Sequence, residues 1–557
     1  MNELFLSEAN APKPSKADTF KHLVISLAIV AIVGGACTEI YNLIPHGPKN
    51  ALEGAQACMD QKAIEREYLK LVNSDFFNLD NHRGYLAAHT SIPKVKVTKS
   101  STITRDDSGV IKQYTDYTLS PDPKTKDIGY YGLGYFYVQT KDSDKALDAF
   151  SRVSDPNMPY LNNSIGNVYL VQKKRPDLAK DYFLKEISLK GNIKGAVSNL
   201  TSLYLDGHKW KELSDLMQDP ALGPLVGRQS VRYWDLWNGK PWDYLINLLD
   251  SESSDVSFMT VLAGLVIALM FLTYIYFIDV FEKEEITLLL YIFLLGIASA
   301  VLATVFYDLA GCFLHFSSTG DMFHDFFFYI FGVGIFEETA KVLPVLIAVY
   351  GWKKWNEPVD ILIFAAVSAL GFACLENAGY FNSYAISLII GRTVSAVVLH
   401  VCMTCMAVYG IFVHRHKKSA MSFLAIPFYF FLAVLAHGLY DFCASSTPGI
   451  GFFSIVVLVL MMICFRNMIE NGLGLADFKA NGPLTLNLTL YLIYGLLGIL
   501  LMQFAILDIQ YGPDLSISNM EHSLVSYYFL FFVLVSDFGR IKIVKGKWRP
   551  LLDQNKT

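Results

Sequence analysis

Two adjacent glutamates, Glu337 and Glu338, lie in the middle of a long apolar run that covers roughly residues 323–350. A run of that length is typical of a membrane-spanning helix. An ionisable side chain at mid-bilayer costs about 2.5–3.5 kcal/mol on insertion scales, so such residues usually face a protein interior or a wet cavity. Lys341 lies four residues after Glu337 and three after Glu338, so on a helix its ammonium can pair with one of the two carboxylates. The other carboxylate would then be free to act as a base.

Each of the next three apolar runs also carries polar groups suited to catalysis. In chain order they are Glu376 and Asn377, then His400 and Thr404, then His437 and Asp441. Taken singly, each has a structural explanation, such as a hydrogen-bonded contact between helices. Because every one of these groups costs insertion energy, their presence on four successive spans favours one shared site.

Two kinds of hydrolytic chemistry fit this set. A buried glutamate can deprotonate water for attack on a peptide carbonyl, while histidine or asparagine donates hydrogen bonds to the oxyanion. Alternatively, histidines and carboxylates bind zinc and leave one position for water. The candidate ligands are His400, His437, Glu376 and Asp441. The chain contains neither the H-E-x-x-H signature of zinc proteases nor the G-x-S-x-G signature of serine hydrolases.

The composition indicates which elements position these residues. The 557-residue chain is 53% hydrophobic with a mean hydropathy of +0.35, which predicts an all-α polytopic membrane protein of about ten transmembrane helices. The net charge of −5 and the lack of a basic tract argue against a nucleic-acid partner. The predicted spans lie near 256–278, 286–306, 323–350, 359–380, 387–412, 421–442, 451–466, 485–508 and 523–537.

The amino-terminal part differs in composition from the rest. Residues 1–22 are predicted to be a polar tail, and residues 23–44 an uncleaved anchor helix. The Gly-Gly-Ala-Cys sequence at 34–37 is a poor lipoprotein cleavage site, because it lacks the aliphatic residue three before the cysteine. Residues 45–250 have the composition of a soluble domain. Within them, residues 95–117 alternate β-branched and polar side chains, which predicts a small hairpin.

The second half of the soluble domain contains an internal repeat. Gly-Tyr-Phe-Tyr at 134–137 is echoed by Gly-Asn-Val-Tyr at 166–169, and an Ala-x-x-x-Phe pair at 146–150 recurs at 179–183. This pattern resembles tetratricopeptide (TPR-like) repeats, here over about residues 125–250. Such repeats stack into a solenoid whose concave face suits peptide segments. The domain is interpreted either as a binding module for a substrate or regulator, or as a purely architectural element.

Lys and Arg are distributed unevenly among the connections between spans. Basic residues occur at 353–354, 415–418, 466–479 and 540–549, whereas 307–321, 443–450 and 509–522 contain none. By the positive-inside rule, both termini are cytoplasmic and the soluble domain is extracytoplasmic. The membrane domain covers 256–540 and is followed by a basic tail at 541–557. The location is interpreted as a cell membrane, specifically a bacterial inner membrane.

The polar motifs, taken in order, resemble those of the PrsW family of intramembrane proteases, relatives of the CAAX prenyl endopeptidases and the CPBP/ABI proteins. They are Glu-Glu-x-x-Lys at 337–341, Phe-x-x-x-Glu-Asn at 372–377, His400 followed by Thr404, and His-x-x-x-Asp at 437–441. Arg392, eight residues before His400, also fits the family. The resemblance covers about residues 285–470, with its motif core at 323–442.

The resemblance implies an endopeptidase that cuts a membrane-tethered protein, such as an anti-sigma factor, on its extracytoplasmic side. It implies that Glu337 is the general base and that Glu338 pairs with Lys341. The other catalytic candidates would position water, stabilise the oxyanion or bind a metal such as zinc; they are Glu376, His400, His437 and Asp441. Supporting roles fall to Lys341, Asn377, Arg392 and Thr404.

Two departures from the prenyl endopeptidases bear on the mechanism. Those enzymes carry histidine and asparagine where this chain has Glu376 and Asp441, and the added carboxylates favour a metal.

Two other functions stay open on the residues alone. One is a proton- or cation-coupled transporter, although the halves of the membrane region show no internal symmetry. The other is a non-catalytic receptor or scaffold that uses the TPR-like domain.

Overall fold

A computed structural model shows a helical protein, which confirms the predicted all-α membrane fold. The described residues are 4–5, 35–40, 42–43, 50–92, 105–254, 256–383, 386–417, 421–445, 448–476, 487–539, 541–546 and 548–552. The chain forms two compact units. One comprises Met1–Pro45 with Asp250–Thr557, and the other comprises His46–Leu249.

The His46–Leu249 unit is built from short helices. Their bounds are α1 Asn50–Ala57, α2 Gln61–Ser74, α3 Leu79–Ser91, α4 Asp107–Thr118, α5 Pro123–Gln139, α6 Ser143–Ser151, α7 Leu161–Asn167, α8 Pro176–Ser188, α9 Ile193–Asp206, α10 Trp210–Gln218, α11 Arg228–Trp237 and α12 Pro241–Ser254. A π-helical turn, Val168–Gln172, extends α7, and a 3₁₀ turn, Gly223–Leu225, precedes α11. Many of these helices begin at an Asp or Asn whose side chain accepts from the first-turn backbone N–H groups, as Asp60 does for α2.

The hairpin predicted at 95–117 is wrong over the part that the structure describes, where Asp107–Thr118 forms α4. Asp106 accepts a hydrogen bond from the Gly109 N–H at 3.0 Å and so starts a helix. Val110 and Tyr114 are buried at i, i+4 spacing, which is a helical period. The first half of the predicted hairpin lies outside the described residues.

Two successive helix pairs in this unit pack through the same contact. A Cβ atom on Gly134 of α5 would lie 2.4 Å from the Phe150 ring of α6. A Cβ atom on Gly166 of α7 would lie 2.5 Å from the Phe183 ring of α8. In both pairs a glycine therefore allows an aromatic ring to pack directly against the backbone of the preceding helix.

The other unit contains long apolar helices. Their bounds are α13 Phe258–Ile278, α14 Ile286–Leu309, α15 Met322–Phe327, α16 Ile335–Leu346, α17 Asp360–Ser383, α18 Ile389–Arg392, α19 Val398–Lys417, α20 Ala425–Ser445, α21 Pro448–Leu475, α22 Leu488–Tyr511 and α23 Pro513–Phe538. π-Helical turns extend α14 to Leu314, join α15 to α16, extend α16 to Gly351 and join α18 to α19. Strands β1 Leu4–Phe5 and β2 Lys542–Ile543 pair antiparallel.

Seven helices in the described part of the chain are long and apolar enough to cross a membrane. They are Phe258–Ile278, Ile286–Leu314, Asp360–Asn382, Ile386–Lys417, Ser422–Ser445, Ile450–Leu475 and Leu488–Tyr511. The run from Met322 to Gly351 and the helix α23 are also long, but they carry more polar residues. Most of the predicted anchor at 23–44 lies outside the described residues, of which 35–40 are helical.

Two helices, α17 and α19, form the centre of this unit. In the spans that contain them, 89% and 94% of the apolar window is buried within the protein. Both carry predicted site residues, as do α16 and α20, which pack against α19. The site therefore lies where the helices are most enclosed by other helices.

Candidate active site

Two glycines let the helix that carries the paired glutamates approach α20 closely. A Cβ atom on Gly334 would lie 2.5 Å from the Val434 carbonyl oxygen, and one on Gly438 would lie 2.4 Å from the Ile330 Cα. Side chains larger than hydrogen would hold these backbones apart. The close approach brings the first turn of α16 next to His437.

Lys341 lies at the centre of the site and is fully buried. Its Nζ is 3.0 Å from Glu337 Oε2, 3.1 Å from Glu338 Oε1 and 2.8 Å from His400 Nδ1. The ammonium also lies 4.2 Å from the centre of the Phe372 ring. Lys341 therefore contacts both carboxylates, whereas the sequence predicted a pair with one of them.

His437 of α20 is buried and contacts three carboxylates. Its Nδ1 lies 2.7 Å from Glu338 Oε1, so this nitrogen carries the proton. Its Nε2 lies 3.5 Å from Glu337 Oε2 and 3.4 Å from Asp441 Oδ2. In a neutral ring, Nε2 would direct a lone pair at two negatively charged oxygens. This geometry requires a proton or a cation between them.

His400 of α19 is oriented in the same way. Its Nε2 lies 2.7 Å from Glu376 Oε2, while its Nδ1 faces Lys341 and lies 4.0 Å from Glu337 Oε2. A further layer holds Glu376, because Arg392 Nη2 lies 3.1 Å from Glu376 Oε2 and Arg392 Nε donates to Asn377 Oδ1. Each histidine thus has one nitrogen bound to a carboxylate. The other nitrogen of His437 faces Glu337, whereas that of His400 contacts the Lys341 ammonium, with Glu337 next beyond it.

Two hydroxyl groups complete the hydrogen bonding of the paired glutamates. Thr404 Oγ1 donates to Glu338 Oε2 at 2.9 Å. Tyr307 of α14 donates to Glu337 Oε1 at 2.8 Å. The structure brings together all ten residues singled out in the sequence and adds Tyr307. Tyr307 lies at the end of an apolar run. Nothing in its spacing distinguishes it from the other aromatic residues there, so the sequence did not single it out.

The charges around the histidines do not balance. The ionised groups are four carboxylates and two cations, namely Glu337, Glu338, Glu376, Asp441, Lys341 and Arg392. Neutral histidines leave two negative charges uncompensated in a buried region, which is costly. One divalent cation would restore neutrality. Protonation of both histidines would do so too, but it would place a second N–H of His400 against the Lys341 ammonium, 2.8 Å away.

The donor atoms of Glu337, His400 and His437 lie within 4.8 Å of one another, the one such group among the described residues. Zinc is commonly bound by two histidines and a glutamate at about 2.0–2.2 Å, which places ligand atoms roughly 3.4 Å apart. The Glu337–His437 separation of 3.5 Å is close to that value, and the Glu337–His400 separation is 4.0 Å.

The second-layer contacts also fit zinc, because metal-bound histidines usually donate their other N–H to a carboxylate. Glu338 and Glu376 occupy those positions for His437 and His400. Of the four predicted ligands, His400 and His437 belong to this group, while Glu376 lies behind His400. Asp441 lies beside the ligand-facing nitrogen of His437.

A cavity of about 320 Å³ opens onto this group. Glu337 and Glu376 line it, together with Tyr307, and small residues of α14 and α17 leave it open. Glu252, in the last turn of α12, lies at the same cavity. Water and a peptide segment thus have room beside the paired glutamates.

Fold and site together define a multi-pass membrane protein with a carboxylate–histidine hydrolytic centre among its helices. A family model described as PrsW family intramembrane metalloprotease matches residues 284–467. Protease PrsW of Shouchella clausii is 30% identical over 33% of this chain and 83% of its own. Protease PrsW of Geobacillus kaustophilus is 24% identical over 41% of this chain and 97% of its own. Protease PrsW of Bacillus subtilis is 25% identical over 37% of this chain and 91% of its own. No solved structure matches at comparable significance.

The chain belongs to the PrsW family and is an intramembrane peptidase. The family description includes a metal, in agreement with the donor set of Glu337, His400 and His437. The matched region contains every residue of the site except Glu252, which lies before it. The His46–Leu249 unit lies outside the match.

Proposed function

We propose that this protein cuts membrane-tethered protein substrates near the extracytoplasmic face, and that zinc held by Glu337, His400 and His437 assists the reaction. The observation that carries the proposal is the arrangement of His437. Its proton is committed to Glu338, so its second nitrogen faces Glu337 and Asp441 as an acceptor. A bound cation resolves this contact and the unbalanced charge of the site.

The chain's own residues supply the remaining steps. Zinc bound there supplies Lewis acidity toward water and a peptide carbonyl. Asp441, with its side chain 28% exposed, is positioned beside His437 to accept the proton of the attacking water. Lys341 places its positive charge beside Glu337 and opposes the negative charge that develops on the carbonyl oxygen. Glu338 and Glu376 hold the two histidine rings.

The proposed side of attack follows from the cavity and the loops. Glu252 and Val256 at the cavity lie between the His46–Leu249 unit and α13. The connections at 307–321 and 443–450, which flank α14 and α20, carry no Lys or Arg and are therefore extracytoplasmic. Within this proposal both termini are cytoplasmic, and the TPR-like repeats of the 45–250 domain recruit a substrate such as an anti-sigma factor.

Cleavage in proteoliposomes tests the proposal. The substrate is a single-span reporter with a randomised juxtamembrane segment, and products are identified by mass spectrometry. Glu337→Gln is expected to reduce cleavage at least about 100-fold, because it removes a charged ligand next to the reacting groups. The matched control Glu521→Gln changes an exposed glutamate of α23 and should leave the rate unchanged. Cleavage by Glu337→Gln at the wild-type rate would refute the proposal.

A further inference from the structure

A second and larger cavity, of about 780 Å³, lies on the other face of the helix that carries His437. On α20 the lining residues recur every three or four positions, from Phe428 through Leu432 and Leu435 to Leu439. On α21 they follow the same helical period and run antiparallel. The cavity is therefore an elongated groove between two neighbouring helices.

The length of the groove fits an acyl chain that extends through one lipid leaflet. From Phe428 to Leu439 it follows α20 for about 16 Å at 1.5 Å per residue. One lipid leaflet contributes about half of the roughly 30 Å hydrocarbon core, so a single acyl chain reaches a similar depth.

The groove is apolar along its length and positively charged at one end. Lys417 and Arg549 are its two charged lining residues, and both lie at the end of the groove where Trp548 packs. The Lys417 ammonium lies 4.6 Å from the centre of the Trp548 ring, and it has no carboxylate partner in the described part of the chain. Arg549 uses one guanidinium nitrogen to bind Glu470 at 2.7 Å.

We propose that this groove binds one anionic glycerophospholipid, with an acyl chain along α20 and α21 and the phosphate at Lys417 and Arg549. Basic pockets between membrane helices on the side of the positive loops are suited to acidic headgroups. Phe428 is 61% exposed and Leu460 is 44% exposed at the edge of the groove, which gives a lipid lateral access. The bound lipid supports α20 from the face opposite His437.

Native mass spectrometry of the full-length protein, released from nanodiscs, tests the headgroup. The probes are phosphatidylglycerol and phosphatidylcholine with identical acyl chains, mixed in equal amounts. Wild type is expected to retain one phosphatidylglycerol with at least about fivefold preference, since each basic residue near the membrane surface favours an acidic lipid several-fold. Lys417→Glu should abolish the preference. The control Lys353→Glu changes an exposed lysine outside the groove and should keep it.

A second variant tests the acyl chain. Leu460→Trp fills the edge of the groove and should reduce retention of phosphatidylglycerol at least about fivefold, whereas Leu490→Trp, on α22 and outside the groove, should not. Equal retention of the two lipids by wild type would overturn the proposal. So would identical results for Lys417→Glu and Lys353→Glu, or recovery of a substrate transmembrane peptide instead of lipid.

Discussion

Each buried histidine of the site has one ring nitrogen committed to a carboxylate, and this decides what its other nitrogen can do. Glu338 and Glu376 hold the rings of His437 and His400, so the opposite nitrogens point toward Glu337, with the Lys341 ammonium beside that of His400. At this scale the two histidines have the supporting partners that the proposed metal would need.

Tyr307→Phe tests the hydrogen bond that Tyr307, a residue outside the sequence motifs, donates to Glu337. Removing the hydroxyl leaves Glu337 Oε1 without its donor at 2.8 Å. Hydrogen bonds to charged groups contribute about 1.5–3 kcal/mol, so cleavage should fall about 10-fold or more. The thermal midpoint should change little, because the ring remains in place. The control Tyr350→Phe alters an exposed tyrosine, and an unchanged rate for Tyr307→Phe would contradict the assigned contact.

The sequence singled out ten residues that the structure brings together, but it did not assign their contacts. Ionisable groups in apolar runs are conspicuous because of their insertion cost, and this singled out Glu337, His400 and His437. Tyr307 costs little to insert and gave no such signal. Whether Glu376 lies beside a metal or behind His400 depends on helix rotation, which the spacing of residues along one helix does not determine.

At the scale of elements, the site depends on the close approach of α20 to the helix that precedes α16. Gly438→Ala would place a Cβ atom 2.4 Å from the Ile330 Cα, a backbone atom that cannot move aside cheaply. Overpacking of this kind costs about 1–3 kcal/mol. We expect a lower thermal midpoint and at least about a 10-fold loss of cleavage, since His437 lies next to this contact.

The matched control for this variant is Gly498→Ala on α22, where no atom lies within 4 Å of the added Cβ. It should keep both the activity and the thermal midpoint, because alanine is the better helix former. Wild-type activity and stability in Gly438→Ala would show that the two helices are not held together at this glycine.

The connection between α13 and α14 gives a prediction about pH. Burial raises the pKa of Asp279 to about 6, and burial together with the nearby Asp279 and Glu282 raises the pKa of Glu284 to about 7. The folded protein thus binds these protons more tightly than the unfolded chain, whose carboxyl groups titrate near pH 4. The resulting destabilisation develops as the pH rises from about 4 and is complete above about 7.

Thermal unfolding in detergent between pH 5 and pH 8 measures this effect. The midpoint of wild type should fall as the pH rises, and Glu284→Gln should make the fall smaller. The exposed Glu521→Gln should keep the wild-type dependence. If Glu284→Gln and wild type show the same dependence on pH, Glu284 does not titrate in this range.

Helix period and local capping explain why the sequence predicted the membrane helices well and the hairpin at 95–117 badly. Long apolar runs indicated most membrane helices to within a few residues, as at 256–278 for α13. The alternation of β-branched and polar residues at 95–117 was misleading. There the buried pair Val110 and Tyr114 and the cap at Asp106 outweigh strand propensity.

At the scale of the whole molecule, a peptidase unit is joined to a helical unit that lies outside the family match. The proposed orientation places that unit outside the cytoplasm. A cysteine introduced by Lys124→Cys, at an exposed position of α5, should react with a membrane-impermeant maleimide on intact cells. Lys353→Cys, in a basic connection, should react only after the membrane is opened. Labelling in the reverse order would invert the topology.

The native cysteines interfere little with this assay. Seven of the eight are buried. For the eighth, Cys58, burial and the neighbouring Asp60 raise the pKa of the thiol to about 11, which slows its reaction with maleimide. Wild type therefore serves as the background measurement for both introduced cysteines.

The metal content of purified protein tests the central claim most directly. Elemental mass spectrometry should find about one zinc per chain in active wild type and in Glu521→Gln. The metal should be lost from His400→Ala and Glu337→Gln in parallel with cleavage. A preparation that cleaves substrate at the full rate with no bound metal would contradict the account, and the two histidines would then act as protonated donors.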